Sequence, residues 1–221
     1  MTVTILPVSS PDLPTLVDFV HASKLCLTIN RLLYLNWPND AAQKRQYKQA
    51  VETSFNNEAV ISLKAVDDET KDLVGYLVLT PKQVAEANPT PAEKTESETQ
   101  DVPQGMHPGV LAAVEDVAAK IDRAASTFDH LELTWIYVKP SHRNQGVGSV
   151  LLKEAQRRAR AQGVPIALCS EPAAYEFYKK RGFRDTIHVD IDLCQWAPPY
   201  SGFGVFRLSG MTWHYQPSES V

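Results

Sequence analysis

Residues 131–152, LELTWIYVKPSHRNQGVGSVLL, decide the fold, because they predict a strand, a glycine-containing turn and the start of a helix. Aromatic, leucine and β-branched residues continue to Val138, and Pro140 ends the strand. The turn covers residues 143–148 (RNQGVG). From Ser149 onward, apolar residues recur at nearly helical spacing, which predicts a helix to about Gln162.

The turn has the chemistry of an anion-binding site. A helix start carries about four backbone N–H groups without partners inside the helix, and the helix dipole adds positive potential there. Gly146 and Gly148 lack a side chain, so the backbone can approach a ligand closely. Arg143 supplies a full positive charge. We therefore expect a pyrophosphate to bind residues 143–149.

Composition excludes several classes of function. The 221 residues fit one domain, and 43% hydrophobic residues are enough for a packed core. The net charge of −4 argues against broad binding of nucleic acid or anionic membranes. No apolar run approaches the ~20 residues that span a membrane, and residues 1–16 do not resemble a signal peptide. We expect a soluble protein of the cytoplasm or nucleus.

The cysteines and histidines do not form a metal-binding pattern. Cys26, Cys169 and Cys194 are far apart, and neither a CxxC pair nor a Cys/His metal spacing is present. The cysteines are expected to be buried free thiols in a reducing compartment. No metal cofactor is expected.

The predicted elements alternate between strands and helices. Strands are expected at residues 2–7, 59–66, 73–80, 131–138, 164–169, 186–193 and 203–214, and helices at 13–25, 40–55, 108–126, 149–162 and 172–180. Residues 81–107, rich in Pro, Glu and Thr, predict a flexible insertion. This order predicts one mixed α/β domain with a partly antiparallel sheet.

Two motifs together resemble the GNAT N-acetyltransferase superfamily. Arg143-x-x-Gly146-x-Gly148, between a strand and a helix, matches its R/Q-x-x-G-x-G/A acetyl-CoA signature. Residues 172–183, PAAYEFYKKRGF, resemble the helix that follows the next strand in that superfamily. The element order extends the resemblance over residues 2–214. The segment NRLLYLNWP and the insertion also resemble uncharacterised fungal members, which bring no known substrate.

The resemblance implies a fold, an activity and a cofactor. The expected fold is the GNAT acyl-CoA N-acyltransferase fold, a central mixed and mostly antiparallel sheet flanked by helices, in a single domain over residues 1–221. The expected activity is acetyl transfer from acetyl-CoA to a primary amine of a small molecule or peptide, by direct attack in a ternary complex. A dinucleotide-binding fold is the alternative for the glycines, but Leu151 stands where its third glycine would be, and repeated βαβ units are missing.

The resemblance also assigns roles to residues. Glu132 corresponds to a general base, and Tyr178 to the acid that protonates the coenzyme A thiolate. His130 is a possible assistant or substitute for the base, but it is rather expected to be an exposed residue at the start of the strand. Backbone groups of Ile136 and Val138 would contact the pantetheine, and the Val138 N–H would stabilise the oxyanion. Many relatives have an asparagine where this chain has Glu171. The predicted cofactor contacts are Ile136, Val138, Arg143, Asn144, Gln145, Gly146, Val147, Gly148, Ser149, Ser170, Tyr175 and Tyr178.

The acceptor is the least constrained part of the prediction. Residues 30–37, 67–72 and 196–203 are candidates to line its site, and their aromatic residues suggest an apolar or aromatic amine. Cations on the helix after the turn could reach the 3′-phosphate of coenzyme A or form a solvated face. A non-catalytic acyl-CoA-binding module and a protein lysine acetyltransferase are the alternative functions, and a homodimer is compatible with the sequence.

Overall fold

The computed structural model describes residues 2–84 and 102–215. Most of the expected flexible insertion at residues 81–107 falls on residues 85–101, which lie outside the described residues. Residues 81 and 82 are part of a strand, and residues 102–107 lead into a helix.

The observed elements follow the predicted order closely. The strands are β1 (Val3–Pro7), β2 (Ile61–Asp67), β3 (Leu73–Lys82), β4 (His130–Val138), β5 (Ile166–Ser170), β6 (Arg184–Asp192) and β7 (Val205–Trp213). The helices are α1 (Leu13–Lys24), α2 (Asn30–Leu33), α3 (Asp40–Asn56), α4 (Pro108–Ala125), α5 (Val147–Gln162) and α6 (Tyr175–Lys179). Helix α5 begins two residues before the predicted Ser149, because Gly146, at φ 92°, is its N-cap. The expected helix at 172–180 divides into a 3₁₀ turn and the short α6.

Seven strands form one sheet in the order β1-β2-β3-β4-β5-β7-β6. Every neighbouring pair is antiparallel except β4 and β5, which are parallel. The predicted mixed, mostly antiparallel sheet is therefore confirmed.

Helices cover both faces of the sheet, so there are two apolar cores. On one face, which we call the α5 face, Leu151 and Leu152 pack with Leu131 and Leu133 of β4. The opposite face, called the α1 face, carries α1, α3 and α4. There Leu16, Val17, Phe19 and Val20 of α1 are buried at helical spacing, and the Phe19 ring lies 4.7 Å from that of Tyr137.

Strand β4 contains a bulge that reverses its alternation. Val78 and Leu79 of β3 face Trp135 and Leu133, which leaves Thr134 as an extra residue in β4. Leu131 and Leu133 before the bulge therefore share the α5 face with Ile136 and Val138 after it. Side chains of β4 therefore alternate regularly between the two faces only up to Thr134.

The parallel pairing of β4 with β5 is short. It consists of Leu131 opposite Ile166 and Glu132 opposite Ala167. Beyond these two pairs, residues 133–138 of β4 do not pair with residues 168–170 of β5. We call the gap between these two stretches the seam. A bulge bends its strand, so the extra Thr134 accounts for the divergence.

Helix α4 packs against the sheet. Val110, Val117 and Ile121 are buried, and a Cβ added to Gly210 of β7 would lie 3.2 Å from Ile121 Cγ2. The amphipathic face of this helix is thus part of the core rather than a free surface.

Candidate active site

The loop before α5 has the backbone geometry of an anion cradle. Asn144 and Gly146 both have positive φ, 60° and 92°, which turns the chain sharply before the helix. The Gly146 carbonyl accepts hydrogen bonds from Ser149 N and Val150 N, at 2.9 and 3.0 Å. Among the described residues, none accepts a hydrogen bond from the N–H groups of residues 144–148. These N–H groups are available to a phosphate at the start of α5.

Side chains fix this loop to the end of β4. Arg143 Nε donates to the Val138 carbonyl at 3.1 Å, and its guanidinium lies 5.8 Å from the Tyr137 ring centroid. Gln145 Nε2 donates to the Ser141 carbonyl at 2.9 Å. The Val138 carbonyl, which was expected to accept from pantetheine, therefore already has a partner in Arg143.

The first turn of α5 is joined to α6 through Arg181, a residue that the sequence analysis did not select. Arg181 Nη2 donates to Ser149 Oγ at 2.6 Å, and Nη1 to the Phe177 carbonyl at 2.8 Å. A Cβ on Gly148 would lie 3.3 Å from the Phe177 ring. The second glycine of the motif thus allows α5 and α6 to pack closely, while Arg181 adds a second cation near the cradle.

Tyr178 is buried on the α5 face beside the seam. Its ring makes edge contacts with Phe177 and Phe183, with centroids 5.2 and 5.4 Å away. Burial raises the pKa of Tyr178, and the charge of Glu171 raises it further. The phenol therefore keeps its proton at neutral pH, which a proton donor to a thiolate requires.

Glu132 lies where the seam begins, on the α1 face. Its carboxylate pairs with Lys82 Nζ at 3.2 Å and is partly exposed. His130 on the same strand is buried, with Nδ1 2.9 Å from the Phe128 carbonyl oxygen. The expectation that His130 is an exposed strand-start residue was wrong, because α4 and its following loop cover this end of β4.

Two predicted cofactor contacts have other partners. Ser170 is buried, and its hydroxyl donates to the Glu171 carbonyl at 3.1 Å. The Tyr175 hydroxyl donates to Asp185 Oδ2 at 2.8 Å. Ile136 and Val138 both pack against the α5-face core, and their backbone borders the seam.

An ion pair crosses the seam on the α1 face. Lys24 Nζ, at the end of α1, lies 2.5 Å from Glu171 Oε1, directly after β5. The same ammonium lies 5.2 Å from the Trp135 ring centroid on β4. Sequence reasoning identified Glu171 only as a departure from the family pattern, and it missed Lys24, because the two residues are 147 positions apart.

The three cysteines are exposed, so the expectation of buried thiols was wrong. Cys169 is partly accessible to solvent beside the seam, but its thiol is largely surrounded by protein. This desolvation, together with the negative charge of Glu171, raises the pKa of its thiol to about 11. A thiol with this pKa is a poor nucleophile at neutral pH.

The cations on α5 mostly have partners within the protein. Arg157 and Arg158 both donate to Glu154, at 2.7 to 2.8 Å, and the Arg160 guanidinium lies 5.3 Å from the Trp213 ring centroid. Lys153 is exposed. These contacts favour the solvated face over a 3′-phosphate site.

The segments expected to form the acceptor site are only partly open. Tyr34 is buried, and Trp37, Trp196 and Phe203 pack against the α1-face core, whereas Tyr200 is fully exposed. The turn at residues 67–72 lies beside the cofactor loop, with Lys139 Nζ 4.0 Å from Asp72 Oδ2. Tyr200 and Phe203 line a cavity formed by the 196–203 loop. Its described lining includes no residue of the 30–37 or 67–72 segments. A pocket beside the seam instead includes Asp122, His130, Glu132 and Cys169 in its lining.

Within residues 2–84 and 102–215, no helix is long and apolar enough to cross a membrane. The same residues contain no group of three His, Cys, Asp or Glu side chains that could hold a metal ion.

Part of the chain is similar to a known family of proteins. Residues 109–185 match the family model described as "Acetyltransferase (GNAT) domain". The mycothiol acetyltransferase of Amycolatopsis mediterranei is 28% identical over 117 residues, which cover 47% of this chain and 39% of that protein. The match therefore spans well under two thirds of the curated relative.

Solved structures show the same fold. A structure described as histone acetyltransferase HPA2 and related acetyltransferase, from Corynebacterium glutamicum, is 22% identical, has a TM-score of 0.56 and covers 99% of both chains. The PaiA N-acetyltransferase of Thermoplasma acidophilum, in complex with coenzyme A, is 19% identical over 97% of this chain and all of that one, with a TM-score of 0.54. Residues 109–185 thus match the GNAT family model, and the chain has the fold of these GNAT structures. The narrower resemblance to fungal members stays a prediction.

Proposed function

We propose that this protein transfers an acetyl group from acetyl-CoA to a primary amine of a small molecule or peptide. The proposal rests on two features that lie together at the C-terminal end of β4. The seam opens after Glu132 and Ala167, and beside it the N–H groups of residues 144–148 have no acceptor among the described residues. A pantetheine chain fits an unpaired strand edge, and a pyrophosphate fits the N–H groups.

The residues around the seam can supply each requirement of amide formation. The acceptor amine must lose a proton, because a lysine-like amine has a pKa of about 10.4 in water. Glu132 lies on the α1 face where the seam begins and lines the pocket beside it, and it is the proposed base. The Val138 N–H is the proposed oxyanion donor, and Tyr178 the proposed proton donor to the thiolate.

Direct attack in a ternary complex is favoured over an acetyl-enzyme intermediate. The cysteine beside the seam is Cys169, and its raised thiol pKa, about 11, disfavours the thiolate that a covalent route needs. A location in the cytoplasm or nucleus and a homodimer are compatible with this proposal.

Thiol release with a panel of amines and peptides tests the proposal. Initial rates measured at several concentrations of both substrates should give intersecting double-reciprocal lines, because both substrates bind before transfer. Tyr178→Phe should lose most of kcat, whereas Tyr175→Phe on the same helix is the matched control, because its hydroxyl is engaged with Asp185. Thermal stabilisation by acetyl-CoA without thiol release from any amine would favour the non-catalytic module instead.

A further inference from the structure

Lys24 holds a primary amine at the seam in a fixed position. It is the last residue of α1, and its carbonyl accepts a hydrogen bond from Asn30 Nδ2 at 2.9 Å, which fixes the backbone after the helix. The side chain then passes the Trp135 ring and ends at the Glu171 carboxylate. Both residues of the pair are less than one-third exposed, so the amine is sheltered rather than free in solvent.

The position of this amine is that of an acceptor. Trp135 belongs to the stretch of β4 that borders the seam, and Glu171 follows β5 on its other side. The Lys24 ammonium therefore spans the seam on the α1 face, while the cofactor helix α5 and Tyr178 lie on the opposite face. A thioester placed in the seam would have an amine on one side and a proton donor on the other.

We infer that Lys24 is itself acetylated by the protein, with Glu171 as its base. This inference rests on the proposed use of acetyl-CoA. The Lys24 ammonium transfers a proton to Glu171, and the free Nζ attacks the thioester carbonyl carbon. The C–N bond forms, the C–S bond breaks, and the thiolate receives a proton from Tyr178. The nitrogen loses its second proton as the amide forms. One of the two amine protons restores Tyr178, and the other passes from Glu171 to solvent.

The reaction has a built-in advantage and a built-in cost. Holding amine and carbonyl together replaces a bimolecular encounter with an intramolecular one. An ammonium, however, has no lone pair, so Lys24 must give up a proton to Glu171 before its nitrogen can attack. Acetylation removes the positive charge of Lys24, which would break the ion pair and leave the Glu171 carboxylate open to an external amine.

Lys64 provides a matched internal reference. Its Nζ pairs with Asp12 Oδ2 at 2.6 Å, and both side chains are more sheltered than those of Lys24 and Glu171. Lys64 lies on β2, which β3 and β4 separate from the seam. Each lysine pairs with its own carboxylate, but only Lys24 adjoins the seam. The side-chain exposures, 24% for Lys24 and 15% for Lys64, differ by less than a factor of about two, so exposure alone should give Lys24 only a small advantage.

The test uses the full chain with acetyl-CoA and no other amine. Peptide mass spectrometry follows the acetylated fraction at Lys24 and Lys64 with time. Lys24 should react about 100-fold faster, the size of effect that a positioned base contributes, at a rate independent of protein concentration. Glu171→Gln should reduce the Lys24 rate to that of Lys64, whereas Asp12→Asn should leave the Lys24 rate unchanged.

Equal rates at the two lysines in the unmutated protein, or a Lys24 rate proportional to protein concentration, would overturn the inference. Undiminished Lys24 acetylation in Glu171→Gln would overturn the role of Glu171. If external amines are acetylated while Lys24 is not, only this inference fails. If acetyl-CoA neither stabilises the protein nor supports transfer to any amine, the proposed function itself fails.

Discussion

Deleting Thr134 should close the seam without unfolding the protein. The extra residue in β4 places Leu131 and Leu133 on the same face as Ile136 and Val138. Removing it restores a regular period of two that keeps all four on that face. The straightened strand could then pair with β5 beyond Glu132 and Ala167, which would occupy the edge that a pantetheine needs.

The deletion should change the affinity for acetyl-CoA much more than it changes the stability of the protein. The deletion loses the hydrogen bond between the Thr80 and Thr134 hydroxyls, 2.9 Å apart and exposed, which contributes at most about 1 kcal/mol. New ladder bonds offset this loss, so the melting temperature should move by no more than ~4 °C. Loss of two backbone hydrogen bonds to the cofactor, at about 1.5 kcal/mol each, should weaken acetyl-CoA binding roughly 100-fold.

Calorimetric titration with acetyl-CoA and thermal unfolding together measure both quantities. Thr134→Ala is the control, since it removes the hydroxyl but keeps the extra residue, and it should bind acetyl-CoA normally. Unchanged affinity in the deletion variant would show that the bulge does not open the seam. Failure of the deletion variant to fold would show that the register argument is wrong.

Three further predictions concern packing, catalysis and pH. Gly75→Ala should destabilise the protein by about 1–3 kcal/mol in chemical denaturation, because the added Cβ would lie 2.9 Å from Leu151 Cδ1. Tyr178→Phe should lower kcat by roughly 100-fold or more with little change in acetyl-CoA affinity, measured by steady-state kinetics and calorimetry. Burial pushes the pKa of Asp12 up, but hydrogen bonds from Lys64 and Ser9 outweigh it and hold that pKa below its usual value. The stabilisation by Asp12 is therefore complete above the unfolded value of about 3.9 and is lost as the pH falls below it. Asp12→Asn should accordingly show a smaller fall in unfolding free energy between about pH 6 and pH 3.

The features that could be predicted from the sequence are those that depend on residue patterns within a few positions. The strand before the turn, the glycines that shape the cradle and the buried residues of α1 all follow from spacing within a few positions. Helix α5 began earlier than expected because the positive φ of Gly146 makes it the cap rather than part of the turn. A glycine fits both positions, so the sequence could not distinguish them.

The sequence could not predict contacts between distant segments. The bulge at Thr134 arises from the register with β3, and nothing within β4 marks it. Lys24 and Glu171 meet because α1 crosses the sheet above the seam. The aromatic residues near Tyr34 and Trp196 suggested an open site, but the same residue types serve equally well in a core, and tertiary packing buried them.

Hydrogen–deuterium exchange with and without acetyl-CoA tests the central claim most directly. Acetyl-CoA bound in the seam should slow exchange at residues 144–148, whose N–H groups have no acceptor in the described protein, and along residues 133–138 of β4. Residues 61–67 of β2, two strands away, should exchange unchanged. Protection absent from the loop and the seam, or located elsewhere while the protein turns over acetyl-CoA, would contradict the account.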